Sequence, residues 1–306
     1  MIQNEMTQTD MTQTDMTASE RYALKHALPA RGKLRAERQR REFWQEVLGF
    51  VIALAFLLPL AFLLLGAFKA QREVFNGPLI PEVWVWQNFV EAWNGAPFLR
   101  YFFNSMLVSL VVTAVVILTS SLAAFAFSNL EFPGKSWLFL FALGPLMIPG
   151  DVLLIPNFIT IRQFGWQNSY QALIVPFCAS AFGVFLLRQA FLKTPKELEE
   201  ASRIDGASPW QFLFRILMPV NAPALSALGV LTFLGIWNAL VWPYIAISKD
   251  EFRTVQVGLA SFTGLEGSNI PVVLAATVLV VTPVLLVYGF AQKWFIESAA
   301  SSGLKG

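Results

Sequence analysis

Six stretches of this 306-residue chain, 47–68, 104–127, 137–160, 172–192, 220–247 and 271–295, each run for about twenty residues or more with at most one Asp, Glu, Lys or Arg. About twenty apolar residues in a helix cross the hydrocarbon core of a bilayer. No water reaches the peptide groups there, so a lone segment crosses only if its own backbone pairs them, as an α-helix does. The expectation is an all-α membrane protein with six transmembrane helices. Composition agrees: 56% of the residues are hydrophobic and 14% charged, against roughly 25% charged in an ordinary soluble domain.

Orientation follows from the basic residues. Arg21, Lys25, Arg31, Lys33, Arg35, Arg38, Arg40 and Arg41 precede the first apolar stretch. Placed before a first span, such a run holds that end in the cytoplasm, a better reading here than a nucleic-acid arm. With both termini cytoplasmic, sixteen of the 22 Lys and Arg fall inside and six outside, as the positive-inside rule requires. The divisions that follow are a polar tail (1–20), a basic cytoplasmic segment (21–46), a first helix (47–68), an outer segment (69–103), a core with five further spans (104–296) and a cytoplasmic tail (297–306). The first tail carries the repeat MTQTD at 6–10 and 11–15. It has no apolar periodicity, so it reads as disordered, and no apolar core follows closely enough for a signal peptide. Trp84, Trp86 and Trp93 in the outer segment suit a membrane interface.

Several chemistries find no residues. There is no phosphate-cradling GxxxxGK[ST] loop and no HExxH. The single Cys178 and single His26 leave neither a disulfide nor a Cys/His metal site. Asp151 is the main ionisable candidate at membrane depth, but Pro149-Gly150-Asp151 reads as a helix interruption, and no second acid lies in another span to complete a proton relay. Pro145, Pro149, Pro156, Pro176 and Pro283 should bend their helices. The chain reads as no enzyme, with neither catalytic nor metal residues.

The densest helix punctuation lies in 194–219, TPKELEEASRIDGASPWQFLFRILMP. Thr194, Pro195 and Glu197 read as N-cap, first-turn proline and capping carboxylate, and Ser208, Pro209 and Gln211 repeat the pattern. Asp205-Gly206 between them supplies a left-handed stop. Two short helices folded at Gly206 are predicted, the second ending at Pro219 and carrying an apolar stripe of Trp210, Leu213, Ile216 and Leu217. The topology puts this knob in the cytoplasm between the fourth and fifth spans, presented to a groove on a cytosolic partner.

Glu200-Ala201-Ser202, then Gly206, then Ile216-Leu217-Met218-Pro219 resembles the signature of the membrane subunits of ATP-binding-cassette importers: Glu-Ala-Ala, three residues, Gly, nine residues, Ile-x-Leu-Pro. Ser202 and Met218 depart from it. Asn104-Ser105, Ile148-Pro149 through Ile155-Pro156, Trp237-Asn238 with Pro243, and Gly303-Leu304-Lys305-Gly306 are similar to the carbohydrate branch, in particular the smaller maltose-type permease subunit. The resemblance implies a type I importer permease fold in a bacterial or archaeal cytoplasmic membrane. Implied partners are a second related permease, two cytosolic ATPases that bind the ATP and Mg²⁺ (none on this chain), an extracytoplasmic solute-binding protein, a sugar and membrane lipid, with no nucleic acid. It assigns ATPase coupling to Glu200, Ala201, Ser202, Asp205, Gly206, Ile216 and Pro219, and an ATPase contact to Gly303 and Lys305. The 248–270 loop would meet the binding protein. Trp237 and Asn238 are substrate candidates, because an indole face suits a sugar ring and an amide its hydroxyls; a packing Trp with a helix-capping Asn is the alternative. Competing readings are an importer of glycerol phosphate or an amino acid, and a scaffold that recruits a cytosolic protein.

Overall fold

The computed structural model describes residues 18–263 and 269–303, with side chains described for 40–262, 269–286 and 289. Helices α1 (Ala18–Ala67), α2 (Gln87–Asn94), α3 (Phe98–Asn129), α4 (Lys135–Leu143), α5 (Leu154–Gln163), α6 (Tyr170–Ile174) and α7 (Ala181–Leu192) lead to the knob. They are followed by α8 (Lys196–Ile204), α9 (Pro209–Val220), α10 (Ala222–Trp237), α11 (Val241–Ala246), α12 (Val255–Thr263) and α13 (Ile270–Gly303). No strand occurs among the described residues.

By its contacts the chain divides into two units, Met1–Phe62 and Leu63–Gly306. In the first, α1 carries exposed apolar side chains such as Phe50 and Phe56, a surface suited to lipid rather than water. The basic stretch before them is helical from Ala18 onward, since Ala, Leu, Arg, Lys and Glu dominate it and all favour helix. The repeat itself lies outside the described residues.

The second unit holds the core, organised around α3. Ser109, Ser120 and Ser121 of α3 are fully buried, and their small side chains let α7 and α10 approach closely. Gly183 of α7 faces Ser120 so tightly that a Cβ there would meet the Ser120 hydroxyl and lie 3.2 Å from Leu228 of α10; one at Gly229 would lie 3.2 Å from Ile117. Small residues at such crossings permit the dispersion contacts that hold helices together in lipid.

Two helices, Arg40–Ala67 and Phe98–Asn129, are each long and apolar enough to cross a membrane alone. The third, fourth and fifth apolar stretches are broken. Their helix pairs bend by 92° (Lys135–Met147 with Gly150–Gln163), 43° (Tyr170–Phe177 with Ala181–Leu192) and 80° (Pro209–Val220 with Ala222–Trp237), giving up to five spans if each pair counts as one; Ile270–Leu286 is a shorter apolar helix within α13. The fifth stretch, expected as one span over 220–247, also divides after Trp237, where α10 ends before α11 begins.

The break between the two helices of the fourth stretch has side-chain partners. Between α6 and α7, Ser180 accepts from the Gly183 N–H at 3.0 Å, and Thr119 of α3 donates to the Cys178 carbonyl at 2.9 Å. The 69–103 segment is folded as well: Lys69 is only 3% exposed and donates to the Pro78 carbonyl at 2.6 Å. Asn88 donates to the carbonyls of Ala67 and Lys69, 2.9 Å each. Trp84 and Trp86 pack on Phe68, at 5.2 and 4.7 Å between ring centroids, with their outer edges exposed.

Gly183→Leu overpacks the α3–α7–α10 crossing and is expected to destabilise by about 1–3 kcal/mol. Gly235→Ala within α10 meets open space and should leave the thermal midpoint of the detergent-solubilised protein unchanged or slightly higher, since alanine favours helix over glycine.

Candidate functional site

Helix α8 opens after Pro195, whose φ of −56° and ψ of 133° lead into it, and no side chain caps that end. The expected cap is corrected here: the Thr194 hydroxyl instead accepts from the Asn221 side chain at 2.9 Å. The end of α8 follows expectation. Gly206 has φ +77°, the Gly206 N–H bonds to the Arg203 carbonyl at 3.1 Å and the Ala207 N–H to the Ser202 carbonyl at 2.9 Å. That is a Schellman stop, in which Asp205 takes part through its backbone. A Cβ at Gly206 would meet nothing, so the left-handed backbone alone selects glycine.

Ser208 and Gln211 form the reciprocal capping box: the Gln211 N–H donates to Ser208 Oγ at 3.3 Å, and the Ser208 N–H to Gln211 Oε1 at 2.8 Å. Helix α9 then widens into a π turn over Leu213–Leu217. Pro219 does not end it, a second correction. The helix runs on to Val220, and the break falls at Asn221, because the widened turn ahead of Pro219 already relaxes the backbone pairing that proline disrupts. Asn221 secures the break, its side chain donating to the Leu217 carbonyl at 2.9 Å as well as to Thr194.

The apolar side chains of the knob divide between two faces. Phe212, Leu213 and Leu217 are buried against the core, where Phe212 meets Phe125 of α3 at 6.4 Å between rings. Ile216 is half-buried, whereas Trp210, expected on the same stripe, is 62% exposed and stacks on exposed Phe214. Ile204 is 86% exposed at the end of α8. Glu200, Ala201, Asp205, Gly206 and Pro219 are also exposed, while Ser202 is buried and donates to the Glu199 carbonyl at 2.8 Å. The replacement of alanine by serine in the signature is thus accommodated by a local hydrogen bond.

Glu199 escaped the sequence reading. One carboxylate oxygen accepts from Asn129, the last residue of α3, at 2.7 Å, and the other pairs with Arg203 at 2.7 Å. These residues flank a cleft of about 220 Å³ whose walls include Thr194, Glu200 and Phe191. No local signal marks this contact, since Asn129 and Glu199 are 70 residues apart.

Elsewhere, Trp237 is 1% exposed and packs between Phe233 and Phe102, at 5.8 and 6.2 Å between ring centroids. Asn238 stands exposed as the C-cap of α10, its Oδ1 accepting from Gln256 at 3.2 Å. The structure therefore does not join the two in one open site. Gly303 ends α13, and Lys305 lies outside the described residues. No group of three or more His, Cys, Asp or Glu able to hold a metal occurs among the described residues.

The described residues thus form a bundle of broken apolar helices with a capped helix pair fastened through Glu199 and Thr194. The chain belongs to the family of binding-protein-dependent transport system inner membrane components, whose model matches residues 32–299; it is a permease subunit of an ABC importer. It is 32% identical over 269 residues to the arabinooligosaccharides transport system permease protein AraQ of Halalkalibacterium halodurans, covering 86% of this chain and 96% of that one. It is 34% identical over 271 residues to the sn-glycerol-3-phosphate transport system permease protein UgpE of Pectobacterium atrosepticum, covering 85% and 96%. Its fold matches a chain of a bacterial ABC transporter involved in the import of the acidic polysaccharide alginate, with a TM-score of 0.75, 23% identity and coverage of 82% and 95%.

Ser208→Ala removes the cap and is expected to cost the knob about 1 kcal/mol. Amide hydrogen exchange over 206–213 should accelerate about fivefold, with exchange in α3 unchanged.

Proposed function

We propose that this permease forms half of the transmembrane pathway for a mono- or oligosaccharide and is driven through the 194–219 knob by a cytosolic ATPase. One observation carries the coupling role: a glycine-stopped, capped helix pair exposes Ile204, Trp210, Phe214 and Glu200 while being fastened at two points to membrane helices. An apolar patch beside a carboxylate suits a groove on a soluble partner. The Glu199–Asn129 bond joins α8 to the end of α3, and the Thr194–Asn221 bond joins it to the start of α10. Displacement of the knob by a closing partner is thereby passed to two helices of the pathway.

The accompanying arrangement has six spans with both termini cytoplasmic, an added first helix over 47–68 and the core over 104–296. A second permease completes the pathway, two ATPases bind ATP and Mg²⁺, and an extracytoplasmic binding protein delivers solute to the outer face, including the 248–270 loop. Asn238 is the exposed polar group retained as a solute contact, with Trp237 supporting it from within the core. Gly303 and Lys305 bring the C-terminal tail to the ATPase. The sugar assignment draws on the oligosaccharide relative; glycerol phosphate, named for UgpE, is the second reading.

Proline at 206 cannot adopt a φ of +77°. Gly206→Pro is expected to leave the subunit in the membrane and to reduce solute uptake in proteoliposomes at least tenfold; normal uptake with coupled ATP hydrolysis would refute the docking role. Thermal shifts of the importer's binding protein with arabino-oligosaccharides and with glycerol 3-phosphate separate the two solute readings.

A further inference from the structure

At the opposite end of α3 from the knob, a second fastening has no assigned role. Asn104 is 0% exposed, and its amide makes three hydrogen bonds. Its Nδ2 donates to the carbonyls of Glu251 and Arg253 at 3.0 and 2.8 Å. Its Oδ1 accepts from the Tyr170 hydroxyl at 2.7 Å. The next residue, Ser105, accepts from the Val255 N–H at 2.8 Å. Two adjacent side chains of α3 thus hold three main-chain groups of the segment 251–255.

The same segment is held from another side. Asn168, at φ +58° before α6, accepts from the N–H groups of Ser248 and Lys249 at 2.6 and 2.9 Å. Phe252 packs edge-on against the Tyr170 ring at 5.2 Å. Because the backbone is gripped, the side chains of Lys249, Asp250 and Glu251 remain exposed. Charged groups are thereby displayed on a main chain locked to both α3 and the start of α6.

We infer that Asn104 is a positioning residue: with Ser105 and Tyr170 it latches the 248–255 segment in one conformation, ready for the solute-binding protein. The inference rests on the permease reading above and deepens it by naming what shapes the outer docking surface. Main-chain groups in an outer loop would otherwise exchange their bonds with water and sample many conformations, and ordering them at the moment of docking weakens association. The latch completes that ordering beforehand. It also joins α3, which the knob engages at its other end, to the receptor-facing segment through a single helix.

The test uses the complete importer in nanodiscs with Cys178→Ser, a spin label at Lys249→Cys, and the importer's purified binding protein titrated by biolayer interferometry. Asn104→Ala is expected to mobilise the label, weaken binding-protein affinity at least tenfold and leave ATPase activity without binding protein unchanged. Tyr170→Phe removes only the bond to Asn104 Oδ1 and should weaken affinity about threefold. It also decides the matter if Asn104→Ala does not assemble. Arg100→Ala, which loses a surface pair with Glu251 at 3.8 Å and a bond to the Glu251 carbonyl at 3.1 Å, should weaken affinity less than Asn104→Ala. An assembled Asn104→Ala or Tyr170→Phe importer with unchanged label mobility and affinity would overturn the latch. A wild-type importer that ignores the binding protein would instead sink the permease reading itself.

Discussion

Everything in this molecule depends on where the broken backbone sends its hydrogen bonds. A peptide group left unpaired in hydrocarbon costs several kcal/mol, yet three of the apolar stretches bend by 43° to 92°. At the 43° and 80° bends neighbouring side chains take up groups near the break: Thr119 at Cys178, Ser180 at Gly183, and Asn221 at Leu217. Proline and glycine interrupt the helices, and short polar side chains complete the interruptions.

Helix α3 ties the ends together. Its middle is packed through buried serines against α7 and α10, its last residue binds the knob through Glu199, and its first turns hold the 251–255 segment through Asn104 and Ser105. Side-chain hydrogen bonds thus tie both ends of α3 to distant segments, while its middle is held by close packing and the Thr119–Cys178 bond. In the proposed coupling such a member would transmit displacement better than a loop, because packed helices shift as units rather than deform.

Local chemistry was legible where the interacting residues are neighbours in sequence. Ser208 and Gln211 are three apart, and their capping box formed as their spacing predicts. The Asp205-Gly206 stop likewise adopts its left-handed turn. Thr194 failed the same logic, since a competing partner, Asn221, lies 27 residues further on and takes its hydroxyl. Pro219 failed because a π turn absorbs what a proline would otherwise end. Trp210 shares a helical repeat with Leu213 and Leu217, but the core covers only the latter two.

What the sequence determined by itself was the solvent and the punctuation: apolar runs long enough for lipid, and the cap at Ser208 and the glycine stop at Gly206, which act within a few residues. Only the tertiary structure decided which polar groups meet across the bundle, namely Glu199 with Asn129, Thr194 with Asn221, and Asn104 with Tyr170 and the 251–253 backbone. The reason is range. Helix signals arise from backbone geometry over one or two turns, whereas these pairings connect residues 27 to 149 positions apart and exist only once close packing has brought their helices together.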